Sequence, residues 1–120
     1  MPREINMAVI EELLSLTDDG DKSLLTDLIQ MFLEDSPSKL AMIRAGLTSG
    51  DVEQIEKAAH SMKGSAGNLG ATNVQEICDR LQHVSRGSVP ETEISMLVQQ
   101  LEAPYANAVR ELRELLAQHS

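Results

Sequence analysis

The sequence predicts an all-α fold, an up-and-down antiparallel four-helix bundle with an additional short N-terminal helix, about six helices in all. Three observations carry this. Apolar residues recur at spacings of three and four along nearly the whole chain, as one face of a helix requires, and no run alternates at two as a half-buried strand does. Capping and turn residues gather in short clusters between these stretches, and links of about two to five residues set successive helices antiparallel to their neighbours. The 120 residues, 42% of them apolar, let one domain bury a core without a disulfide or a metal. Residues 1–120 therefore read as a single domain with its core between about 21 and 118.

In order along the chain, Asn6 caps a first short helix bearing Val9, Ile10, Leu13 and Leu14, which Thr17-Asp18-Asp19-Gly20 closes. Asp21 caps a second, striped by Leu24, Leu25, Leu28, Ile29 and Phe32. Ser36 before Pro37 reads as a capping residue followed by proline at the first helical position, opening a third helix with Leu40, Ile43 and Leu47 that Gly50 stops. Asp51 opens a fourth, ended by Gly70. Thr72 and Gln75 form a capping box for a fifth that carries Val74, Ile77, Cys78, Leu81 and Val84. After Gly87-Ser88-Val89-Pro90 the last helix runs through Ile94, Leu97, Val98, Leu101, Tyr105, Val109, Leu112 and Leu116. Pro104 lies inside that pattern without an amide hydrogen, so a kink or a break is expected near Ala103.

Composition narrows the function. Ten Lys and Arg against nineteen Asp and Glu leave a formal charge of −9, which argues against nucleic acids and anionic membranes as partners. That Phe32 and Tyr105 are the only aromatic residues argues against base-stacking single-strand binding as well. The core must be aliphatic. Cys78 has no second cysteine to bridge, and Met1-Pro2-Arg3-Glu4 leads into no apolar signal core, so a cytoplasmic location is expected. No stretch reaches the roughly eighteen apolar residues of a membrane span.

The fourth helix is unlike the others. On a wheel at roughly 100° per residue, Val52, Ile55, Ala59, Met62, Ala66 and Leu69 fall on one side. His60 points about 140° from the centre of that stripe, beside Gly64 and Gly67 and flanked by Lys57 and Lys63. Each helical glycine costs about 1 kcal/mol against alanine, and on an outer face no core packing offsets it. A glycine one turn beyond an exposed imidazole removes the side chain that would shield it. The lysine three positions on lies within reach of an anion attached to the ring. That is how a nucleophile is presented to a macromolecule. Lys57 is open between a second cation of this face and an ordinary solvated charge.

The run Ala59-His60-Ser61-Met62-Lys63-Gly64-Ser65-Ala66-Gly67-Asn68-Leu69-Gly70-Ala71 resembles the signature of histidine-containing phosphotransfer (HPt) domains. So do Phe32-Leu33-Glu34-Asp35-Ser36-Pro37, Gly50-Asp51 and the Cys78…Leu81-Gln82 pattern. The resemblance implies that His60 is the phosphoacceptor, with Lys63 near the phosphoryl oxygens and Gly64 giving a receiver domain room to approach. It further implies that Gln82 orients the imidazole and that Ser65 fills a small-residue position chiefly through packing; with Gly67 and Lys57, placed beside His60 by the wheel, Gly64 and Ser65 make up the expected partner-binding face. The chain would then be a phosphoryl carrier rather than an autonomous enzyme. It would accept from a receiver aspartate and pass the group to another, with response-regulator receivers or a hybrid sensor kinase as partners and Mg²⁺ supplied by the receiver. A monomer binding no cofactor of its own is expected. Two alternatives remain at this point: the phosphoacceptor domain of a chemotaxis-type kinase, whose motif often has Gly at the place of Ser65 and Glu at that of Gln82, and a helical adaptor that binds receivers without transfer.

Rival motifs are weaker. Zinc is disfavoured because Gly64 stands four residues after His60, and His83 and His119 supply no paired spacing, so no metal site is expected. Gly64, Gly67 and Gly70 follow a helix and not a strand, unlike a phosphate-binding loop. Ser36-Pro37-Ser38-Lys39 matches S-x-x-K without its partner motifs, and Cys78 on an apolar face reads as inert core.

Overall fold

The computed structural model describes residues 3–16, 23–87 and 90–119. It contains α1 (Met7–Ser15), α2 (Ser23–Ser49), α3 (Val52–Asn68), α4 (Thr72–Arg86) and α5 (Glu91–His119). The four long helices form a closed antiparallel bundle in which α3 packs on α2 and α4, and α5 packs on α4 and α2, with α1 against α2. The all-α bundle expected from periodicity is therefore the fold. The turn at 17–20, the Asp21 cap and Ser88-Val89 lie outside the described residues.

Capping follows the sequence at four residues. The Asn6 side chain accepts from the Ala8 amide at 3.0 Å, and that of Asp51 accepts from the Gln54 amide at 3.1 Å. Gly50, one residue beyond α2, and Gly70, two beyond α3, adopt φ of 76° and 74°, a left-handed conformation that favours glycine. Each lets the next amide turn back: Asp51 N–H donates to the Gly46 carbonyl, and Ala71 N–H to that of Ala66, both at 2.9 Å. These two turns fold α2 onto α3 and α3 onto α4.

Four details differ from the sequence reading. Ser36-Pro37 does not start a helix, because α2 runs through it and the expected second and third helices are one. Ile29, Phe32, Ser36, Leu40 and Ile43 form an unbroken buried stripe, and Pro37 lies exposed on its flank, about 100° round the helix from Ser36. Packing along the stripe outweighs the roughly 3 kcal/mol that an internal proline costs. Ser36 is buried and its hydroxyl shares a 2.8 Å hydrogen bond with the Tyr105 hydroxyl on α5, so it does not cap. Pro104 likewise lies within a continuous α5, whose buried residues extend on either side of it, so the helix does not break near Ala103. Thr72 is the first residue of α4 and not its cap; its hydroxyl donates to the Gly70 carbonyl at 3.2 Å, and Ala71 occupies the cap position. Val52, expected in the core, is exposed at the mouth of α3.

The core is aliphatic, with Ile29, Ile43, Ile55, Met62, Leu81, Leu101 and Leu112 at its centre and Phe32 its one fully buried ring. The N-terminal segment closes one end. Asn6 N–H donates to the Gly70 carbonyl at 2.8 Å, and Ile5 pairs with Ala71 as an isolated bridge. The buried Glu111 carboxylate on α5 accepts from the Glu4 and Ile5 amides at 2.9 and 3.2 Å. A Cβ at Gly70 would stand 2.9 Å from the Asn6 carbonyl oxygen, so the strap crosses where a side chain does not fit.

Candidate functional site

The site is built on the α3–α4 hairpin. Ala58, Ala59, Met62 and Ala66 form most of the buried face of α3, and α4 answers with Val74, Cys78 and Leu81. Small alanines let α4 lie close, so side chains at the edge of the hairpin can reach across it. His60 projects from the edge into solvent, as the wheel requires.

Gln82 lies beneath it, 5% exposed, with its Nε2 3.0 Å from His60 Nδ1. The amide Oε1 is buried and without a hydrogen-bond partner. A half-turn of the amide exchanges its oxygen and nitrogen, so one side chain can serve either protonation state of the ring nitrogen. With Oε1 toward the ring, Gln82 accepts from Nδ1–H and the nucleophilic lone pair is left on Nε2, the outer nitrogen.

Lys63, one turn further along α3, is 34% exposed and donates from Nζ to Asp79 Oδ1 on α4 at 2.8 Å. The hydrogen bond and charge of Lys63 hold the Asp79 carboxyl below its usual range. His83, one turn on in α4, has Nδ1 2.7 Å from the Asp79 carbonyl oxygen and 3.6 Å from Oδ1. Neither Asp79 nor His83 emerges from the sequence reading as part of the site. The signal was there: Asp79 stands three before Gln82, just as Lys63 stands three after His60, so a hairpin turning near Gly70-Ala71 brings opposite charges together.

The glycines divide. A Cβ at Gly64 would meet nothing within 4 Å, so the outer face beside His60 is open as expected. A Cβ at Gly67 would stand 2.7 Å from Gln75 Nε2. Gly67 is half-buried under α4 and its clearance serves the hairpin, which corrects its placement on the open face. Lys57 is exposed and paired with Glu53 at 3.0 Å, its charge matched within its own helix. Ser65 bonds back to the Ser61 carbonyl at 3.2 Å and borders a hollow of about 70 Å³ with Leu28, Met31 and Asn68. Met31 on α2 is 59% exposed beside it. Burial pushes the Cys78 thiol up to about 12, which fits an inert core residue. Among the described residues no three His, Cys, Asp or Glu side chains converge as a metal site.

A helical bundle that holds one imidazole outward by a buried amide, beside a lysine and an open glycine, defines a class of proteins built to display a histidine. The Hpt domain family model matches residues 27–119, and the chain belongs to that family. "Histidine-containing phosphotransfer protein 2" of Arabidopsis thaliana is 34% identical over 70 residues, covering 56% of this chain and 45% of that protein. "Phosphorelay intermediate protein YPD1" of Saccharomyces cerevisiae is 27% identical over 88 residues, 72% of this chain and 52% of the relative. The chain spans between 27% and 52% of the length of the curated relatives it matches. Among solved structures, the phosphotransfer protein HptB of Pseudomonas aeruginosa superposes with a TM-score of 0.82 at 22% identity, covering 98% of both chains. The phosphotransfer domain of ArcB from Escherichia coli gives 0.76 at 21% identity, covering 97% of this chain and 95% of that one. At these identities the two structures show a shared fold.

Proposed function

We propose that this chain carries a phosphoryl group on His60 in a multistep His-Asp phosphorelay, taking it from the aspartate of one receiver domain and giving it to another. The carrying observation is the contact of Gln82 with His60 Nδ1, which leaves Nε2 as the outward nucleophile. In the forward step the Nε2 lone pair attacks phosphorus, the P–N bond forms, the acyl P–O bond breaks and the receiver's carboxylate leaves with the electron pair. Positive charge that develops on the ring is met by the Gln82 oxygen at Nδ1–H. The reverse steps return the group to a carboxylate. Lys63 adds positive charge beside the phosphoryl oxygens, and Mg²⁺ belongs to the receiver. Gly64 gives the receiver backbone room, and Met31 and Leu28 supply an aliphatic border for docking beside Ser65. The chain is a carrier, and its receivers or a hybrid kinase are its partners.

The test is incubation with a receiver domain bearing labelled aspartyl phosphate and Mg²⁺. Acid-labile, alkali-stable label should appear on the wild type and be absent from His60→Gln. Label retained by His60→Gln refutes the assignment, and binding of the receiver without transfer favours an adaptor.

A further inference from the structure

Lys63, the cation the phosphoryl group needs, is already engaged. Its Nζ donates to Asp79 Oδ1 at 2.8 Å, and both side chains are partly exposed, at 34% and 44%. A lysine stem has four rotatable carbons and its ammonium is a point charge, so it can leave one anion for another nearby without moving the backbone. The group arriving on His60, one turn away on the same helix face, carries more negative charge than a carboxylate and more acceptor oxygens.

We infer that Asp79 holds Lys63 while His60 is unmodified and yields it to the phosphoryl group, so that the Lys63–Asp79 pair sets how far the transfer equilibrium lies toward phosphorylated His60. This rests on the phosphotransfer reading above. The coupling is reciprocal: phosphorylation gains Lys63 only by breaking the pair, so the pair disfavours the phosphorylated state by the same factor that phosphorylation disfavours the pair. Asp79 is thus a positioning residue that acts through Lys63. It keeps a polar neighbour, because His83 Nδ1 stands 3.6 Å from the same Oδ1. The geometry favours this over a purely structural bridge, since a half-exposed pair stabilises a fold little. The factor expected is of the size that such pairs show, about two- to fivefold.

The test needs no identified receiver. The full chain is equilibrated with phosphoramidate at fixed excess ammonium, so that PO₃ passes from the donor nitrogen to His60 Nε2 and ammonia is released, and phosphohistidine is read by ³¹P NMR. Asp79→Asn should raise the ratio of phosphorylated to free His60 about two- to fivefold. Asp79→Glu should stay near wild type. In a Lys63→Gln background, Asp79→Asn should change nothing, an outcome a structural role does not produce. An unchanged ratio in Asp79→Asn, or an equal rise with and without Lys63, overturns the inference and leaves the phosphotransfer reading standing. Absence of phosphohistidine in the wild type instead overturns that reading and the inference with it.

Discussion

Gln82 and His60 face each other across α3 and α4, 3.0 Å apart, in the same antiparallel register that pairs Asp79 with Lys63 and sets Gln75 over Gly67. From His60, steps of three and four toward the turn on α3 are matched by steps of three and four on α4. One register therefore fixes the ring, the cation and the close approach of the helices together, and Gly64 is the position of this face that α4 leaves uncovered.

The two helical glycines should accordingly respond in opposite ways. Gly64→Ala should stabilise the fold by about 1 kcal/mol, since alanine is the better helix former and its methyl meets nothing. Gly64→Gln should keep the helix content yet slow transfer from a receiver about tenfold or more, because the added side chain occupies the space a partner needs. At Gly67 an alanine displaces only the flexible end of Gln75. Transfer should then stay within about threefold of wild type. Thermal melts beside transfer kinetics check both, and an inactive Gly67→Ala with an active Gly64→Gln would refute the division.

The bundle, its capping glycines and the outward His60 were legible because each depends on spacing within one helix. What failed depends on contacts between helices. Ser36-Pro37 has the local chemistry of a helix start, but the stripe from Ile29 to Ile43 and the Tyr105 hydroxyl decide the matter from outside the segment. Thr72 with Gln75 fits a capping box, yet Gln75 lies over Gly67, a position that helix periodicity cannot reveal. Lys63 was expected as a cation for the site, and its prior engagement by Asp79 follows only from the register of two helices. Glu111, one more acid in an acidic chain, gives no local sign of burial.

Asp79 should titrate below its ordinary value of 3.8, first because Lys63 donates a hydrogen bond to it and then because Lys63 and His83 are nearby charges. The sign follows from linkage: a carboxyl lowered by folding contributes its stabilisation above the unfolded-state pKa and loses it as pH falls through the folded one. The Lys63–Asp79 pair should therefore persist below the ordinary value of 3.8 and open only as pH falls through the lowered one. Carboxyl ¹³C shifts followed against pH report this directly. Lys63→Gln should return the Asp79 midpoint toward 3.8, and a midpoint indifferent to that substitution would refute the pairing.

Ser36 is 3% exposed and shares its hydroxyl with Tyr105 between two helices that each carry a proline next to the bond. Tyr105→Phe should cost about 1–2 kcal/mol in a denaturant melt, because it leaves a buried hydroxyl unpaired. Ser36→Ala with Tyr105→Phe should cost less than Tyr105→Phe alone, since both polar groups are then gone. Pro37→Ala returns an amide to the middle of a continuous helix and should stabilise by about 1–3 kcal/mol. Destabilisation by Pro37→Ala would instead mean that a helix begins there.

Glu111 holds the strap that closes the bundle end. Its carboxylate is 6% exposed and accepts two main-chain hydrogen bonds, from Glu4 and Ile5, at 2.9 and 3.2 Å. Bonds to a charged acceptor are stronger than neutral ones, and no water-exposed side chain can replace a buried acceptor. Glu111→Ala should therefore cost about 2–4 kcal/mol and speed amide exchange at Glu4, Ile5 and Asn6 ahead of the helices. Gln, with one acceptor oxygen, should fall between. Because the strap crosses Gly70 while His60 lies nearly three turns away along α3, transfer by the folded fraction should change little. Exchange at these three amides as slow as in the wild type would show that the contacts with Gly70, Ala71 and Asn73 hold the segment without Glu111, and that Glu111 is buried for packing.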